Sequence, residues 1–378
     1  MVGCPICNSY NVKRFLHLKM PIVLRSLPYK EAINVSIEEL IIYNCYSCYT
    51  GFNITPLDDS IIENIYSDYS GYISPFNNIG ASKFNNIIQV IKSFIPIEES
   101  VTEIGCGDGY LLYLLKREGY ADVIGFEPSK LANIGIKQGL KIINTFFRKE
   151  EMEKLNIKYT NFILSHFLEH VNNPVSLLKE LKNFLNNSYI IIETPYFDGF
   201  HHEYLFFYTK KSIFKLAEKT GLELVYLKVM DTHPETLIAV FSDSNKSIKK
   251  YYIEKEETHS DFIKLIDRKG NNIHRNKYLL KKKVEQYNNI LVWGAGSSAV
   301  FYLNTIKDVL DNKNVVIVSG DKRHEGNYIP GVLKQIENPF KYKNLSFDLI
   351  VVLSQFYEEI RENISKLKIK SNDLIWIY

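Results

Sequence analysis

Four of the 5 cysteines in the chain stand in two pairs of identical spacing. A Cys-x-x-Cys turn points two sulfurs at one ion, and two such turns supply the four thiolates of a tetrahedral zinc site. Because four thiolates leave no open coordination position, such a zinc ion is structural. Disulfides are the alternative, and they are disfavoured in the cytosolic protein that we expect. The sequence predicts a structural zinc ion bound by Cys4, Cys7, Cys45 and Cys48.

A second segment that could bind a ligand is Glu-Ile-Gly-Cys-Gly-Asp-Gly at residues 103–109, between a predicted strand and a predicted helix. Its glycines let the backbone turn sharply and approach a ligand closely. Glu127 ends the next predicted strand, 20 residues after Gly107, where a carboxylate can accept both ribose hydroxyls. The acidic ribose acceptor, the G-x-G-x-G spacing and the lack of a phosphate-clamping lysine favour S-adenosylmethionine over NAD or ATP. An ordinary turn with a surface glutamate is the alternative.

Two later segments agree with this interpretation. Residues 162–171 and 191–195 resemble strand motifs of class I methyltransferases, and Ser165 and His166 are expected to border the methionine end of the cofactor. His170 is interpreted as a core or capping histidine. The residues predicted to bind the cofactor are Glu103, Gly105, Cys106, Gly107, Glu127, Pro128, Ser165 and His166.

The elements that must position these residues alternate between strand and helix, which predicts a doubly wound parallel sheet. The predicted strands of this sheet are 101–104, 123–127, 162–165, 189–193, 222–227 and 237–241, and the predicted helices are 110–118 and 175–185. A polar, lysine-rich connector of helical pattern at 245–287 precedes a second α/β unit that begins at Ile290. We predict domains at 1–58, 59–243 (with a helical lead-in) and 244–378.

The composition is that of a globular protein. The chain has 378 residues, of which 46% are hydrophobic and 24% charged, so disordered and fibrous classes are excluded. The net charge is +3, and no region is basic enough, and no basic stripe evident, to predict nucleic-acid binding. We find neither a membrane-spanning segment nor a signal peptide, and we expect a cytoplasmic protein without a membrane partner.

Taken together, these motifs resemble the S-adenosylmethionine-dependent sugar C-methyltransferases of deoxysugar pathways. Features that match, besides the cysteines and the glycine-rich segment, are Tyr69 and Tyr72, residues 123–128, residues 201–207, Gly294-Ala295-Gly296, Asp321 and Pro330-Gly331. The resemblance implies an α/β protein: a Rossmann-like class I methyltransferase core, flanked by a small N-terminal zinc-binding module and a C-terminal α/β domain. It also implies a nucleotide-linked keto-sugar as substrate.

The family signature Y-H-E-H is altered in this chain. Residues 201–204 read His-His-Glu-Tyr, so tyrosine replaces the histidine that is the family's expected base. The family's H-G-G-S element is also replaced, by His233-Pro234-Glu235-Thr236. By resemblance we predict that Tyr69 and Tyr72 bind the substrate. The predicted catalytic residues are His202, Glu203, His201 and Tyr204.

The predicted function is methyl transfer from S-adenosylmethionine to a sugar-type small molecule, with a ring carbon beside a ketone slightly favoured. Methylation of carbon needs a base and an enolate stabiliser, whereas methylation of a hydroxyl needs one base, so O-methylation is an alternative. An RNA methyltransferase that uses its zinc module to bind RNA is a further alternative, as is a non-catalytic interaction protein. For the C-terminal unit, a role in capping the core is favoured over NAD binding. The sequence leaves the sugar, the nucleotide and the oligomeric state open.

Overall fold

The structure, a computed structural model, describes residues 2–55, 57–58, 61, 76, 84–232, 235–243, 252–354 and 356–377. The described α-helices are α1 (Tyr29–Ala32), α2 (Asn85–Phe94), α3 (Tyr110–Arg117), α4 (Ala132–Lys137), α5 (Lys149–Lys154), α6 (Pro174–Lys182), α7 (Lys210–Thr220), α8 (His259–Gln286), α9 (Ser297–Thr305), α10 (Lys307–Leu310) and α11 (Tyr357–Lys366).

The described strands fall into three sheets. They are β1 (Val12–Pro21), β2 (Ile37–Cys45), β3 (Gly51–Asn53), β4 (Val101–Ile104), β5 (Val123–Phe126), β6 (Ile142–Ile143), β7 (Asn161–Ser165), β8 (Tyr189–Pro195), β9 (Phe206–Phe207), β10 (Glu223–Met230), β11 (Thr236–Ser242), β12 (Tyr252–Ile253), β13 (Asn289–Trp293), β14 (Asn314–Val318), β15 (Ile336–Glu337), β16 (Ser346–Val352) and β17 (Lys370–Trp376).

The largest sheet has eight strands in the order β12-β10-β11-β8-β7-β4-β5-β6. The strands from β8 to β6 are parallel, and β11 joins β8 in antiparallel orientation. This order confirms the predicted Rossmann-like class I methyltransferase fold. The chain leaves β4 in one direction to β5 and later returns on its other side as β7, so a ligand crevice is expected at the carboxyl ends of β4 and β7.

The sequence explains why these segments form a covered parallel sheet. Every residue of β4, β5 and β8 is buried, as a strand covered by helices on both faces requires. On one side α2 buries apolar residues that recur at helical spacing, namely Ile87, Ile88, Val90, Ile91 and Phe94. The carboxyl edge of this buried sheet therefore carries the loops of the candidate site.

A second sheet lies in the C-terminal part of the chain. Its five strands are parallel in the order β15-β14-β13-β16-β17. After β13, Gly294 has a φ of 134°, and a Cβ there would lie 2.4 Å from the carbonyl oxygen of Leu353. Asp321 follows β14, but its carboxylate already accepts a hydrogen bond from Nε of Arg323 at 2.9 Å. A ribose in this position would compete with that bond.

The N-terminal residues form a small sheet with the order β1-β2-β3-β9. The sequence predicts short strands here, but β1 and β2 are 10 and 9 residues long. The chain divides into two compact units: Met1–Arg14 with Ile42–Phe262, and Phe15–Ile41 with Ile263–Tyr378. The domain boundaries at 58 and 243 stay a prediction. No helix within the described residues is both long and apolar enough to cross a membrane.

Candidate cofactor site and cysteine cluster

The glycine-rich loop follows β4 directly and consists of left-handed turns. Gly105, Gly107 and Gly109 have φ values of 72°, 56° and 78°, which favour glycine over other residues. A Cβ on Gly105 would lie 2.5 Å from the ring of Phe167, so this glycine also permits close packing of the segment after β7. The loop is therefore shaped by the glycines that the sequence analysis singled out.

Glu127 connects this loop to the end of β5. Its carboxylate accepts hydrogen bonds from the backbone N–H of Gly107 and of Ser129, both at 2.9 Å. Pro128 occupies the turn between the two, and the side-chain amide of Asn144 donates to the carbonyl oxygens of Glu127 and Ser129. The carboxylate predicted to accept a ribose is thus held at the glycine loop, and its own backbone is fixed from a neighbouring strand.

Glu103 lies beneath the loop and is 3% exposed. Burial raises its pKa well above the ordinary value, and the nearby carboxylates of Asp108, Glu127 and Glu193 raise it further. Its Oε2 atom has no hydrogen-bond partner among the described residues. A buried carboxyl group surrounded by other carboxylates is suited to a cationic ligand group, and S-adenosylmethionine carries two, the amino group and the sulfonium. The carboxyl groups observed at this site therefore fit this cofactor.

The remaining predicted cofactor residues differ in orientation. The thiol of Cys106 faces the core: a Cβ on Gly125 would lie 2.5 Å from its sulfur, and burial raises the pKa of this thiol well above the usual value. Only the backbone of Cys106 can therefore face a ligand. Ser165 donates from Oγ to Oε2 of Glu193 at 2.7 Å. His166 follows it at the carboxyl end of β7, with 40% of its side chain exposed.

The predicted catalytic segment 201–204 is attached to the segment that follows β7. The backbone N–H of Leu205 donates to the carbonyl of Glu169 at 2.8 Å, and Nδ1 of His170 donates to the carbonyl of Glu203 at 2.8 Å. The Tyr204 ring packs edge-on against His170, with ring centroids 4.9 Å apart. The structure thus brings the predicted catalytic segment to the edge of the sheet that carries the cofactor loop.

Within this segment the two histidines differ in exposure, since His202 is buried and His201 is half-buried. His202 is 1% exposed. Burial, with the nearby His170 and His202, lowers the pKa of His201 to about 3, so His201 is neutral at physiological pH. The other predicted positions, Tyr69, Tyr72, His233 and Pro234, lie outside the described residues.

The four paired cysteines converge on one point. Their sulfurs all lie within 4.8 Å of one another, with Cys4 and Cys48 at 3.6 Å and Cys7 and Cys45 at 3.5 Å. A tetrahedral zinc with bonds of about 2.3 Å requires sulfurs about 3.8 Å apart. The thiols are free, so all four sulfurs are available to a metal. The cluster fits a zinc ion.

The two cysteine turns have the same backbone pattern, which explains the convergence. In each turn the residue four positions after the first cysteine, Asn8 or Tyr49, has a positive φ and donates its N–H to the carbonyl of that cysteine. The first cysteine in turn donates its N–H to the residue five positions on. Two copies of one turn therefore present their sulfurs to a common centre.

Comparison with known proteins agrees with the fold. Residues 81–227 match the family model described as methyltransferase domain, and residues 286–375 match the model described as C2185-like, N-terminal. The tRNA U34 carboxymethyltransferase of Campylobacter fetus subsp. fetus is 26% identical over 160 residues, 37% of this chain and 56% of that protein. The enzyme of the same name from Sulfurimonas denitrificans is 30% identical over 118 residues, 29% of this chain and 38% of that protein. The chain thus spans about half or less of these relatives.

Among solved structures, the magnesium protoporphyrin IX methyltransferase of Synechocystis PCC 6803 with bound S-adenosylmethionine superposes with a TM-score of 0.39 at 16% identity, covering 50% of this chain and 99% of that one. The sheet order, the glycine loop and the matched domain define a class I methyltransferase domain. The chain therefore contains a methyltransferase domain over residues 81–227.

Some residues of the site were not predicted from the sequence. Glu169, which is 1% exposed, lies in a Leu-Glu-His turn just after β7, and its position in that turn is a signal that was available. Glu193 was seen only as part of a buried strand, although a carboxylate in an otherwise apolar run of residues 190–192 is itself unusual. Both carboxylates lie near the ring of His166.

We expect Glu127→Ala to weaken S-adenosylmethionine binding about 10- to 150-fold, because it removes charge-assisted hydrogen bonds of roughly 1.5–3 kcal/mol. The matched control is Glu150→Ala, which removes an exposed carboxylate of α5. Isothermal titration calorimetry with both variants checks this, and equal affinities for the two variants would place the ribose elsewhere.

Proposed function

We propose that the protein transfers a methyl group from S-adenosylmethionine to a sugar-type small molecule that is nucleotide-linked. The observation that carries this proposal is the attachment of residues 201–205 to Glu169 and His170 beside the cofactor loop. This is the segment by which the chain resembles the sugar C-methyltransferases. The four-cysteine cluster and the C-terminal parallel sheet support the same three-part organisation.

The protein's own task in such a reaction is to orient and deprotonate the acceptor. The cofactor, when bound, supplies an electrophilic methyl group. Glu127 and the glycine-loop amides would hold its nucleoside, and Glu103 would face its cationic part. Orientation alone lowers a barrier of this kind by up to about 7–11 kcal/mol. Glu203 and Tyr204 are then the predicted donors and acceptors of hydrogen bonds around the sugar. As the methylated atom, a ring carbon beside a ketone is favoured over a hydroxyl oxygen.

The experiment is a screen of nucleotide-linked keto-sugars with a methyl-labelled cofactor, followed by mass spectrometry and NMR of the product. A labelled sugar whose new methyl group is on carbon supports the proposal, and a methoxy product assigns O-methylation. If every sugar fails while RNA is labelled, the proposal is wrong.

We further propose that the cysteine cluster binds one structural zinc ion. Three of its thiols, those of Cys4, Cys45 and Cys48, are buried, so the closed shell has no room for a substrate.

RNA is the second candidate acceptor, and two observations favour it. The first is the name of the curated relatives, which are tRNA U34 carboxymethyltransferases. The second is a basic stripe on α8. The stripe consists of exposed residues that recur on one helical face, which are Lys264, Arg268, Asn271, Arg275, Tyr278 and Lys282.

The stripe corrects an expectation from the sequence, in which no basic stripe was evident. Its members are three, four or seven residues apart, so they align only once the helix is continuous from His259 to Gln286. The stripe is about 27 Å long at 1.5 Å per residue. In the described part of the chain, Lys264, Arg275 and Lys282 form no ion pair with a carboxylate. A row of cations with an exposed tyrosine matches a phosphate backbone and a base to stack on.

We expect the triple variant Lys264→Glu, Arg275→Glu, Lys282→Glu to reduce binding of unfractionated tRNA and to flatten its dependence on salt, since each phosphate contact contributes about one unit to the slope of log K against log salt. The control carries the same charge change on exposed lysines outside α8, Lys137, Lys141 and Lys158. Fluorescence anisotropy at several salt concentrations measures both. Equal slopes for the two variants would mean that the stripe does not contact the phosphates of the RNA.

A further inference from the structure

The His166 side chain lies between two buried carboxylates. Its Nδ1 is 3.5 Å from Oε1 of Glu169, and its Nε2 is 4.0 Å from Oε2 of Glu193. The carboxylate side chains are only 1% and 4% exposed, whereas the imidazole is 40% exposed. An imidazole with carboxylates on one side and solvent on the other can take a proton from a bound molecule, because the adjacent negative charges stabilise the resulting cation.

The backbone holds this side chain at the cofactor loop. His166 has a φ of 50°, which is unusual for a residue with a Cβ, and its N–H donates to the carbonyl of Glu193 at 2.8 Å. The next residue, Phe167, packs closely on Gly105: a Cβ on Gly105 would lie 2.5 Å from the Phe167 ring. Strained backbone of this kind is found at functional sites, where surrounding structure maintains it. His166 thus directly precedes Phe167, the residue that packs on the cofactor loop.

The carboxylates are themselves fixed by neighbours. Thr194 donates from Oγ1 to Oε2 of Glu169 at 3.1 Å, and Ser165 donates to Oε2 of Glu193 at 2.7 Å. Oε1 of Glu169, the atom that faces His166, has no hydrogen-bond partner among the described residues apart from this contact. The arrangement keeps one carboxylate oxygen available for the imidazole.

The other histidines near the loop are less suited to this role. Nδ1 of His170 is occupied by the Glu203 carbonyl. His201 is held neutral by a pKa near 3, too low for an effective base. His202, the base predicted from the sequence, is 1% exposed, so in this structure an acceptor cannot reach its ring.

We propose that His166 is the general base that deprotonates the acceptor, with Glu169 and Glu193 as its positioning residues. This rests on the proposed function. In the step, the acceptor's O–H or activated C–H proton passes to an imidazole nitrogen of His166. The electron pair left on the acceptor forms the bond to the methyl carbon as the sulfur–methyl bond breaks and its electrons remain on sulfur. The imidazolium, facing two carboxylates, then releases its proton to water.

The first test needs no acceptor. Diethyl pyrocarbonate modifies accessible neutral histidines, and peptide mass spectrometry reads each site. We expect His166 to be modified in the free protein and protected by S-adenosylhomocysteine, and exposed His274 to be modified equally in both samples. His202 should stay unmodified. Modification of His166 that is unaffected by S-adenosylhomocysteine overturns the proposal, whatever the acceptor is.

The second test uses the acceptor found in the screen, sugar or RNA. At saturating S-adenosylmethionine, we expect His166→Ala to lower kcat about 100- to 10,000-fold, the usual contribution of a general base. Added imidazole should restore part of kcat in His166→Ala and none in His202→Asn, because only a missing base can be replaced from solution. Near-normal kcat in His166→Ala, or imidazole rescue confined to His202→Asn, overturns the proposal. A wild-type protein that methylates RNA and no sugar contradicts the proposed function and leaves both tests valid.

Discussion

Cys45→Ser is expected to prevent the N-terminal module from folding and, in addition, to disturb the acceptor site. Zinc contributes on the order of 10 kcal/mol to the folding of small zinc-binding peptides, so loss of one ligand from a closed site is severe. Cys45 ends β2, and β3 begins six residues later. β3 in turn pairs with β9, where Gly51 lies opposite Phe207 and Phe52 opposite Phe206. The zinc site is therefore linked by one ladder to the predicted catalytic segment that precedes β9.

The measurement is zinc content by elemental analysis together with the yield of folded protein, for the wild type and for Cys45→Ser. Ser47→Ala is the matched control, because Ser47 lies in the same turn and its hydroxyl hydrogen-bonds at the surface to that of Ser9. We expect about one zinc per wild-type and Ser47→Ala chain and little folded Cys45→Ser protein. Fresh, reduced wild-type protein without zinc would refute the zinc proposal.

The second large effect is expected at Glu257, a carboxylate that is 5% exposed and lies at the N-terminus of α7. It accepts hydrogen bonds from the backbone N–H groups of Lys210 and Lys211, at 3.1 and 2.9 Å, and from the hydroxyl of Tyr196 at 2.7 Å. These amides belong to the first turn of a helix, where the positive end of the helix dipole stabilises an anion. Glu257→Ala should therefore lower the free energy of unfolding by about 3–5 kcal/mol, since it leaves one buried hydroxyl and two half-buried amides unpaired.

Urea unfolding followed by circular dichroism measures this change, and hydrogen exchange of residues 210–220 identifies the transition that includes α7. Tyr196→Phe is the control: it removes one of the three hydrogen bonds and should cost about 1–2 kcal/mol. Equal stability of Glu257→Ala and the wild type would show that water replaces the carboxylate at the helix terminus.

The fold of the core was predictable because its signals are local. Continuous apolar runs marked β7 and β8, and the glycines of residues 105–109 marked the turn after β4, since their φ values exclude most side chains. The cysteine cluster was equally predictable from the sequence, because the same Cys-x-x-Cys turn occurs twice. In each case the residues that determine the geometry are neighbours in sequence.

The features that were missed depend on contacts between distant residues. Glu193 meets His166 only because β7 and β8 are paired in register, with Ser165 opposite Glu193. The sequence indicated a polar connector of helical pattern, but the stripe on α8 requires that this helix be continuous over 28 residues. Residues 15–41 are grouped with the C-terminal part of the chain, although more than 220 residues separate the two segments. No local pattern encodes such pairings.

The discontinuous make-up of the second unit has a consequence for synthesis on the ribosome. Phe15–Ile41 is translated more than 220 residues before the rest of its unit, Ile263–Tyr378, begins. At roughly 5–20 residues per second, β1 and much of β2 wait about 20–70 s for the strands with which they form a compact unit. During that interval β1 can pair with β2 and β2 with β3, but the segment lacks the rest of its unit, a state that favours binding by chaperones. For the same reason a fragment that starts at Ile263 lacks part of its own core, and the two halves of the unit are better produced together, as one chain or by co-expression.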